Sequence, residues 1–349
     1  MRLNLKLNCN YKNKKYFKNS ENLIMTIQYR LLLAISLFSF LVYFSGCSAT
    51  DKAYREIKRQ RKLQLFKPKI IENLIIDTTT LIHDIKYLSA DSLGGRYPGA
   101  KGSLIAQEFI LSRLKMLKID SQYISYKQKY YFLSKENTNI IGFIRGKIFP
   151  DSNIIISAHY DHLGIFNGEI YNGADDNASG VCGLLAIAQF FSINKPNHTL
   201  IFCFFDGEEQ SLSGSQYFVN NSPVNLSSIK ININLDMISR NDTYNEIVAC
   251  GSNHFSKVKK IIAPLRDSTN IGITFGFDKP VNTSNKIDDW TGQSDHFSFF
   301  QKGIPFVYLG VIDHPDYHEP TDDFEKIDLG FYGSVVNLAT KIVLAFDKY

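Results

Sequence analysis

Short apolar runs alternate with amphipathic stretches over most of the chain after about residue 73. Short runs of aliphatic and aromatic side chains are typical of buried strands, and they occupy residues 154–156, 200–205 and 306–309, while apolar and polar residues alternate at 229–235. A further β-rich section covers residues 122–132 and 139–144. Apolar residues at helical spacing predict helices at residues 78–89, 103–118, 179–191, 213–220, 253–264 and 331–346. Strands that are apolar on both faces need helices on both faces, so the pattern predicts an α/β fold.

The N-terminal segment has the features of an export signal. Residues 31–44 carry no charge and follow Arg30, but this stretch is shorter than the roughly 20 residues that span a bilayer. With Cys47 close behind, the segment resembles a bacterial lipoprotein signal, in which the cysteine is lipidated and becomes the first residue. Phe44 stands where that pattern prefers leucine. An uncleaved N-terminal anchor is the alternative, and Met25 is a second candidate start.

Composition and charge exclude several classes of protein. With 44% hydrophobic and 21% charged residues, the chain is neither generally disordered nor a multi-span membrane protein. The formal net charge of +5 arises in residues 1–46, which hold seven Lys and Arg but one acid. From Cys47 onwards there are 32 basic and 33 acidic side chains, a net charge of about −1. Overall charge therefore gives no support to a nucleic-acid partner. Residues 51–69 are basic, and we expect a helical spacer or a contact with anionic lipid.

The cysteines outside the leader suggest neither a disulfide framework nor a thiolate metal site. Cys182, Cys203 and Cys250 are odd in number, widely spaced and embedded in apolar sequence, and no CxxC pair occurs. We expect three buried free thiols.

Polar side chains follow four of the predicted strands directly. His159 and Asp161 come after the first strand, residues 206–209 after the second and Asp236 after the third. The fourth strand leads into a loop with two histidines. In α/β sheets, ligands bind outside the carboxyl ends of the strands. We therefore expect these side chains to converge on one site.

The residue types at this edge suit a pair of metal ions. Histidines and carboxylates without cysteine match the ligands of catalytic zinc. Two metal ions about 3.5–4 Å apart are commonly bridged by a carboxylate. The polar turn at residues 173–180 offers Asp175 or Asp176 for this role, and the adjacent Glu208 and Glu209 offer a ligand and a general base.

Five motifs in order resemble the co-catalytic di-zinc aminopeptidases of the aminopeptidase S and aminopeptidase Y type. This family also includes glutamate carboxypeptidase-like enzymes and glutaminyl cyclases. The resemblance covers about residues 75–346, and GRYPGAKG at 95–102 also resembles the family's N-terminal region. The motifs are SAHYDHLG at 157–164, NGADDNASG at 172–180, FDGEEQSLSGS at 205–215, NLDMISR at 234–240, and SDHFSF, GIPFVYLG and DYHEPTDDFEKID between residues 294 and 328.

The resemblance implies a three-layer αβα fold with a mostly parallel, mixed central sheet, in a single catalytic domain. It also implies two zinc ions. His159 and Asp236 would hold one ion, and Glu209 and His318 would hold the other. Asp176 would bridge the two ions, and the resemblance implies a cis peptide bond between Asp176 and Asn177.

Two further roles follow from the same resemblance: Glu208 would be the general base, and Asp161 would orient the ring of His159. Tyr317, just before the last ligand, is a candidate donor to the developing oxyanion, with a packed aromatic side chain as the alternative. Asp295 is a candidate to support a ligand or contact the substrate, with a helix N-cap as the alternative. Three other histidines near the site match no ligand position; they are His162, His296 and His314.

The implied activity is hydrolysis of N-terminal residues from peptides. A glutaminyl cyclase on the same fold is the first alternative, although that branch has tryptophan where this chain has Tyr317; a non-catalytic surface binding protein is the second. The domain boundaries that we predict are a signal at 1–46, a tether at 47–72 and a zinc peptidase domain at 73–349. The substrate pocket is expected from residues 276–293 and 310–317, where aromatic side chains would favour apolar substrates; those nearby are Phe275, Phe277, Trp290 and Phe299.

Overall fold

Alternate residues of the central strands are buried on opposite faces of one sheet. The computed structural model describes residues 73–121, 125–241, 244–279 and 288–349, all of them within one compact unit, Pro68–Tyr349. Ile154 and Ile156 belong to the hydrophobic core on one face, and Ile155 belongs to the core on the other. This period of two is the geometry of a strand that is covered on both sides.

The described residues form an eight-stranded sheet and a separate two-stranded hairpin. The strand order in the sheet is β1-β2-β6-β3-β7-β10-β8-β9, and the hairpin pairs β4 with β5. The pairs between β6 and β10 are parallel, and so is β8 with β9; β1–β2, β2–β6 and β10–β8 are antiparallel. The strands are β1 (Lys127–Phe132), β2 (Lys135–Ile144), β3 (Phe149–His159), β4 (Gly164–Phe166), β5 (Glu169–Tyr171), β6 (His198–Phe205), β7 (Ile229–Leu235), β8 (Glu246–Cys250), β9 (Gly272–Phe275) and β10 (Phe306–Gly310).

Helices cover both faces of the sheet. Those on the first face share the larger core with the sheet and are α1 (Thr78–Leu88), α2 (Lys101–Met116), α3 (Gly180–Ile193), α5 (Ser256–Ile262) and α7 (Leu329–Lys348). Those on the second face are α4 (Ser213–Asn220) and α6 (His296–Phe300). Side-chain N-caps define the first residues of two helices. The carboxylate of Asp77 accepts hydrogen bonds from two backbone amides of α1, and that of Asp328 accepts one from a backbone amide of α7.

The predicted fold class is confirmed, and one predicted helix is wrong in length. The prediction makes residues 253–264 helical throughout, but α5 begins at Ser256 and ends at Ile262, and a 3-10 helix, Ala263–Ser268, follows. Pro264 accounts for the early end, because proline has no amide hydrogen to continue an α-helix. Cys182, Cys203 and Cys250 are buried free thiols, as expected.

Helix α7 is, among the described residues, the one helix that is long and apolar enough to cross a membrane. Its most apolar window is 67% buried against the rest of the protein, which is the environment of a core helix. The predicted signal at 1–46, Cys47 and the predicted tether at 47–72 lie outside the described residues.

Candidate active site

Four parallel strands lie side by side and end at one edge of the sheet. Their order is β6-β3-β7-β10, and these are the four strands whose ends carry polar side chains. His159 is the last residue of β3, and Asp236 directly follows β7. The loop after β10 returns His318 to the same edge, where its Nε2 meets the carboxylates of Asp176, which follows the hairpin, and Glu209, which follows β6.

The first group of donor atoms surrounds His159. Its Nε2 lies 3.3 Å from Oδ1 of Asp236 and 3.4 Å from Oδ1 of Asp176. All three residues are buried.

The second group lies on the other side of Asp176. Nε2 of His318 is 3.2 Å from Oδ2 of Asp176 and 3.4 Å from Oε2 of Glu209. Asp176 therefore presents one carboxylate oxygen to each group of donors.

These distances fit a pair of zinc ions. With bonds of about 2.0–2.2 Å, neighbouring donors around a tetrahedral zinc lie about 3.2–3.6 Å apart, and the four distances above fall in that range. The donors are nitrogen and oxygen atoms, the chemistry that zinc accepts at catalytic centres. The residues present can thus hold two cations, His159 and Asp236 on one side, Glu209 and His318 on the other, with Asp176 between them.

The loop that carries Asp176 is held by buried hydrogen bonds. The carboxylate of Asp322 accepts from the backbone amides of Asp175 and Asp176 at 3.0–3.1 Å. The side chain of Asp175, the alternative bridge, accepts from the amide of Ser239 at 2.7 Å and lies 3.1 Å from Nε2 of His314. Asp175 therefore supports the loop, and Asp176 faces the donors.

The peptide bond between Asp176 and Asn177 is cis, as the resemblance implied. The side chain of Asn177 donates to the carbonyl of Leu235 at 3.0 Å, and this bond links the loop to the end of β7.

Asp161 positions the two glutamates that follow β6. Its carboxylate accepts from the amides of Glu208 and Glu209 at 3.1 and 3.3 Å. Its Oδ1 lies 3.6 Å from Nδ1 of His159, whose closer neighbour is the backbone oxygen of Asp161 at 3.2 Å. One residue thus holds the orientation of both the loop and the imidazole.

Glu208 lies beside the first group of donors. One of its carboxylate oxygens is within 4.8 Å of a donor atom of His159 and of Asp236. Burial, opposed by His159 and reinforced by Asp236, raises the pKa of Glu208 well above its ordinary value. Bound cations act in the opposite direction. A buried carboxyl group beside the first group of donors is placed to accept and return a proton.

Tyr317 and Asp295 both lie at the site. The ring of Tyr317 stacks on His318 with centroids 3.9 Å apart, and Tyr317 lines the pocket. Asp295 stands at the start of α6, yet its side chain caps no amide there. Its carboxyl group is buried beside Ser215, and burial raises its pKa to about 7.

Two further residues belong to the site although no role was predicted for them. Nδ1 of His162 lies 2.8 Å from Oε1 of Glu209, and its ring is fully buried. Arg96 is also fully buried, and its guanidinium donates to the backbone carbonyls of Leu88, Tyr160, Asn172 and Gly173. The sequence carried a signal for each: His162 lies one short turn after His159, and Arg96 stands in GRYPGAKG.

A pocket of about 120 Å³ opens between the donors and the loop after β10. Of the aromatic residues expected near it, Trp290 lines the pocket, whereas Phe299 is buried in the core of the second face. Besides the donors, Glu208 and Trp290, the residues that line the pocket include Asp288, Tyr308, Asp313 and Tyr317.

Known proteins share this sequence pattern and this fold. Residues 139–343 match the model of peptidase family M28. A probable zinc metalloprotease of Pyrenophora tritici-repentis is 37% identical over 108 residues, which are 29% of this chain and 24% of that protein. Aminopeptidase YwaD of Bacillus subtilis is 26% identical over 209 residues, 56% of this chain and 42% of that protein. The chain thus spans less than half the length of these relatives.

Solved structures share the fold at low sequence identity. Glutaminyl cyclase of Porphyromonas gingivalis superposes with a TM-score of 0.63 at 18% identity and covers 78% of this chain and 99% of its own. The zinc aminopeptidase BSAP of Bacillus subtilis gives 0.61 at 16% identity, over 79% and 96%. Since the family model covers more than half of the chain, the protein belongs to peptidase family M28.

Proposed function

We propose that the protein is a zinc-dependent aminopeptidase that removes N-terminal residues from peptides with two metal ions. The observation that carries this proposal is the placement of Asp176, whose two carboxylate oxygens face separate donors, His159 at 3.4 Å and His318 at 3.2 Å. A bridging carboxylate between two histidine–carboxylate pairs is the arrangement of a two-metal hydrolase.

The protein's own groups would move the protons and hold the charge. When bound, zinc lowers the pKa of a water molecule toward about 7 and polarises a carbonyl oxygen. Glu208 accepts the proton of the attacking water and returns it to the leaving amine, so that one carboxyl group acts as base and then as acid.

Tyr317 is placed to donate to the developing oxyanion. Burial, together with the charge of Asp176, raises the pKa of Tyr317, so its hydroxyl keeps its proton at neutral pH.

The proposal extends to the rest of the chain on sequence grounds. Residues 1–46 would direct export, Cys47 would be lipidated, and residues 47–72 would tether a peptidase domain, 73–349, to the membrane in the periplasm or at the cell envelope. The uncharged stretch at 31–44 and the cysteine that follows support this arrangement.

A glutaminyl cyclase is the second candidate, and the similar fold of the Porphyromonas gingivalis enzyme favours it. That reaction would need one zinc ion. Tyr317 in place of tryptophan and the complete set of five proposed ligands favour the peptidase. The complete set also speaks against a non-catalytic binding protein.

Purified protein loaded with zinc and tested on aminoacyl chromogenic amides and on a peptide with N-terminal glutamine separates the candidates. We expect release of free amino acid, its loss with a chelator and its recovery with added zinc. Ring closure of glutamine without amide hydrolysis would establish the cyclase instead. Inactivity on every substrate at full zinc loading would contradict both enzymes.

A further inference from the structure

His162 is a fully buried histidine beside the second group of donors, and the proposed mechanism gives it no role. It lies between β3 and β4, and its backbone amide donates to the carbonyl of Arg96 at 3.4 Å. Gly173 packs against the imidazole so closely that a Cβ atom there would lie 2.5 Å from Cδ2 of His162. Backbone packing therefore restricts where the ring can lie.

The ring faces the second group of donors through Nδ1. This nitrogen lies 2.8 Å from Oε1 of Glu209 and 3.8 Å from Oδ2 of Asp176. The other carboxylate oxygen of Glu209, Oε2, lies 3.4 Å from Nε2 of His318. Glu209 therefore presents one oxygen to His162 and the other to a proposed metal ligand.

The distance between His162 and Glu209 indicates what kind of contact this is. At 2.8 Å it is shorter than the roughly 3.2–3.6 Å that separates neighbouring donors around one zinc ion, and it matches the roughly 2.7–2.9 Å of a charge-assisted N–H···O hydrogen bond. Among the described residues, neither Nδ1 of His162 nor Oε1 of Glu209 has another hydrogen-bond partner. Because buried polar atoms rarely stay unpaired, each atom is the partner available to the other.

On the proposed two-metal site, on which this inference rests, we propose that His162 is a positioning residue for Glu209. Its Nδ1–H donates to Oε1, so that Oε2 alone binds the ion that Glu209 shares with His318 and Asp176. That ion then has three ligands from the protein, the number found at catalytic zinc sites that keep one position open. A partner that orients a ligand in this way strengthens the binding of the metal.

The role concerns one of the two ions. Asp176 faces both groups of donors, but Glu209 belongs only to the second group, and His159 and Asp236 form the first group without it. Loss of a residue that orients a metal ligand commonly weakens metal binding about 10–100-fold. We therefore expect a variant without the imidazole to have two unequal zinc sites, one weakened by this factor and one close to its original affinity.

Zinc titration of the metal-free full chain against a chromophoric chelator measures the dissociation constants of both ions without any substrate. We expect His162→Phe, which removes the donor but keeps a ring, to raise one dissociation constant about 10–100-fold. His162→Asn keeps an amide N–H near the place of Nδ1 and should recover most of the affinity. His162→Gln carries its amide one bond further out, so it should resemble His162→Phe and replaces it if that variant does not fold.

A matched control lies at the other end of β6. His198, the first residue of that strand, is also buried, and its Nδ1 lies 3.2 Å from Oδ1 of Asp347. His198→Phe removes the same kind of pair and should leave both zinc affinities unchanged. In Glu209→Ala, which lacks the group that His162 orients, adding His162→Phe should not change the affinity of the remaining ion.

Each result has a separate meaning. Unchanged affinities in His162→Phe, or an equal weakening of both ions, would overturn the proposal. Equal losses in His162→Phe and His162→Asn would make the imidazole a metal ligand and also overturn it. A protein that binds fewer than two ions would refute the two-metal site together with this inference. Two ions whose binding depends on His162, in a protein that hydrolyses no peptide, would support the positioning role and refute the aminopeptidase.

Discussion

Glu208 is where the proposed chemistry can be separated from metal binding. Replacing it by glutamine keeps the size of the side chain and the hydrogen bond that its backbone amide donates to Asp161, but removes the group that accepts the proton. We expect Glu208→Gln to bind zinc normally and to lose about 10²–10⁴-fold in kcat. Metal analysis and steady-state rates on the same sample test this, and near-normal turnover would contradict the role.

Asp176 should behave in the opposite way. Because its two oxygens face both groups of donors, Asp176→Ala removes a ligand from each. We expect the variant to lose most of its zinc as well as its activity, and Asp151→Ala, far from the site, to keep both. Full occupancy by two zinc ions in Asp176→Ala would exclude the bridge.

His296 gives a pH dependence that is independent of the ligands. Burial lowers its pKa to about 4, so it stays neutral in the folded protein. The unfolded chain takes up a proton at its ordinary pKa of about 6.5, so stability falls as pH drops from about 6.5 to 4, by roughly 3 kcal/mol from this residue.

Urea unfolding of the metal-free protein at pH 7 and pH 4.5 measures this effect. His296→Phe should lose less stability between the two pH values than the unmodified protein, whatever its stability at pH 7. An identical loss in both proteins would show that His296 titrates normally.

At the residue scale, the sequence predicts the proposed metal ligands better than the residues that hold those ligands in place. The proposed ligands lie in local motifs at strand ends, where a single chain segment reveals them. Asp322 supports the Asp176 loop from 146 residues away, and no local pattern announces such a contact. His162 was passed over because a histidine that meets a glutamate from another strand looks like any other histidine in the sequence.

At the scale of elements, a substitution in strand β6 tests whether the hydrophobic core between the sheet and its helices stabilises the protein. Phe202 is fully buried on the face covered by α3. We expect Phe202→Ala to reduce the free energy of unfolding by about 3–5 kcal/mol, because it removes a large side chain and leaves a cavity. Phe166→Ala, in the exposed hairpin β4–β5, is the control and should change it by less than about 0.5 kcal/mol. Equal effects would argue against the assigned core.

Elements were predictable where burial imposes a long pattern. The central strands, α3 and α7 are long or rich in apolar residues, and their periodicity identifies them. Strands β4, β5, β8 and β9 have three to five residues each and were not predicted, because so short a run does not distinguish a strand from a loop. Their pairing depends on neighbours that only the folded chain brings near.

At the scale of the whole molecule, metal and stability should be linked. Ions that bind only the folded protein stabilise it by about 4 kcal/mol at a free concentration 1,000 times Kd. We therefore expect a chelator to lower the melting temperature by about 5–15 °C. Asp176→Ala should show a much smaller shift, and an unmodified protein that melts identically with and without chelator would contradict a bound pair of ions.

The burial of Arg96 has a consequence for how much of the chain the proposed site needs. The match to the family starts at residue 139, yet the guanidinium that fixes the carbonyls of Asn172 and Gly173 comes from well before it. A fragment cut to the matched span would keep every proposed ligand and leave those carbonyls buried without a donor. The smallest piece worth expressing therefore includes α1, whose Leu88 carbonyl also accepts from Arg96. We expect variation at Arg96 to abolish the proposed activity from outside the segment that matches the family.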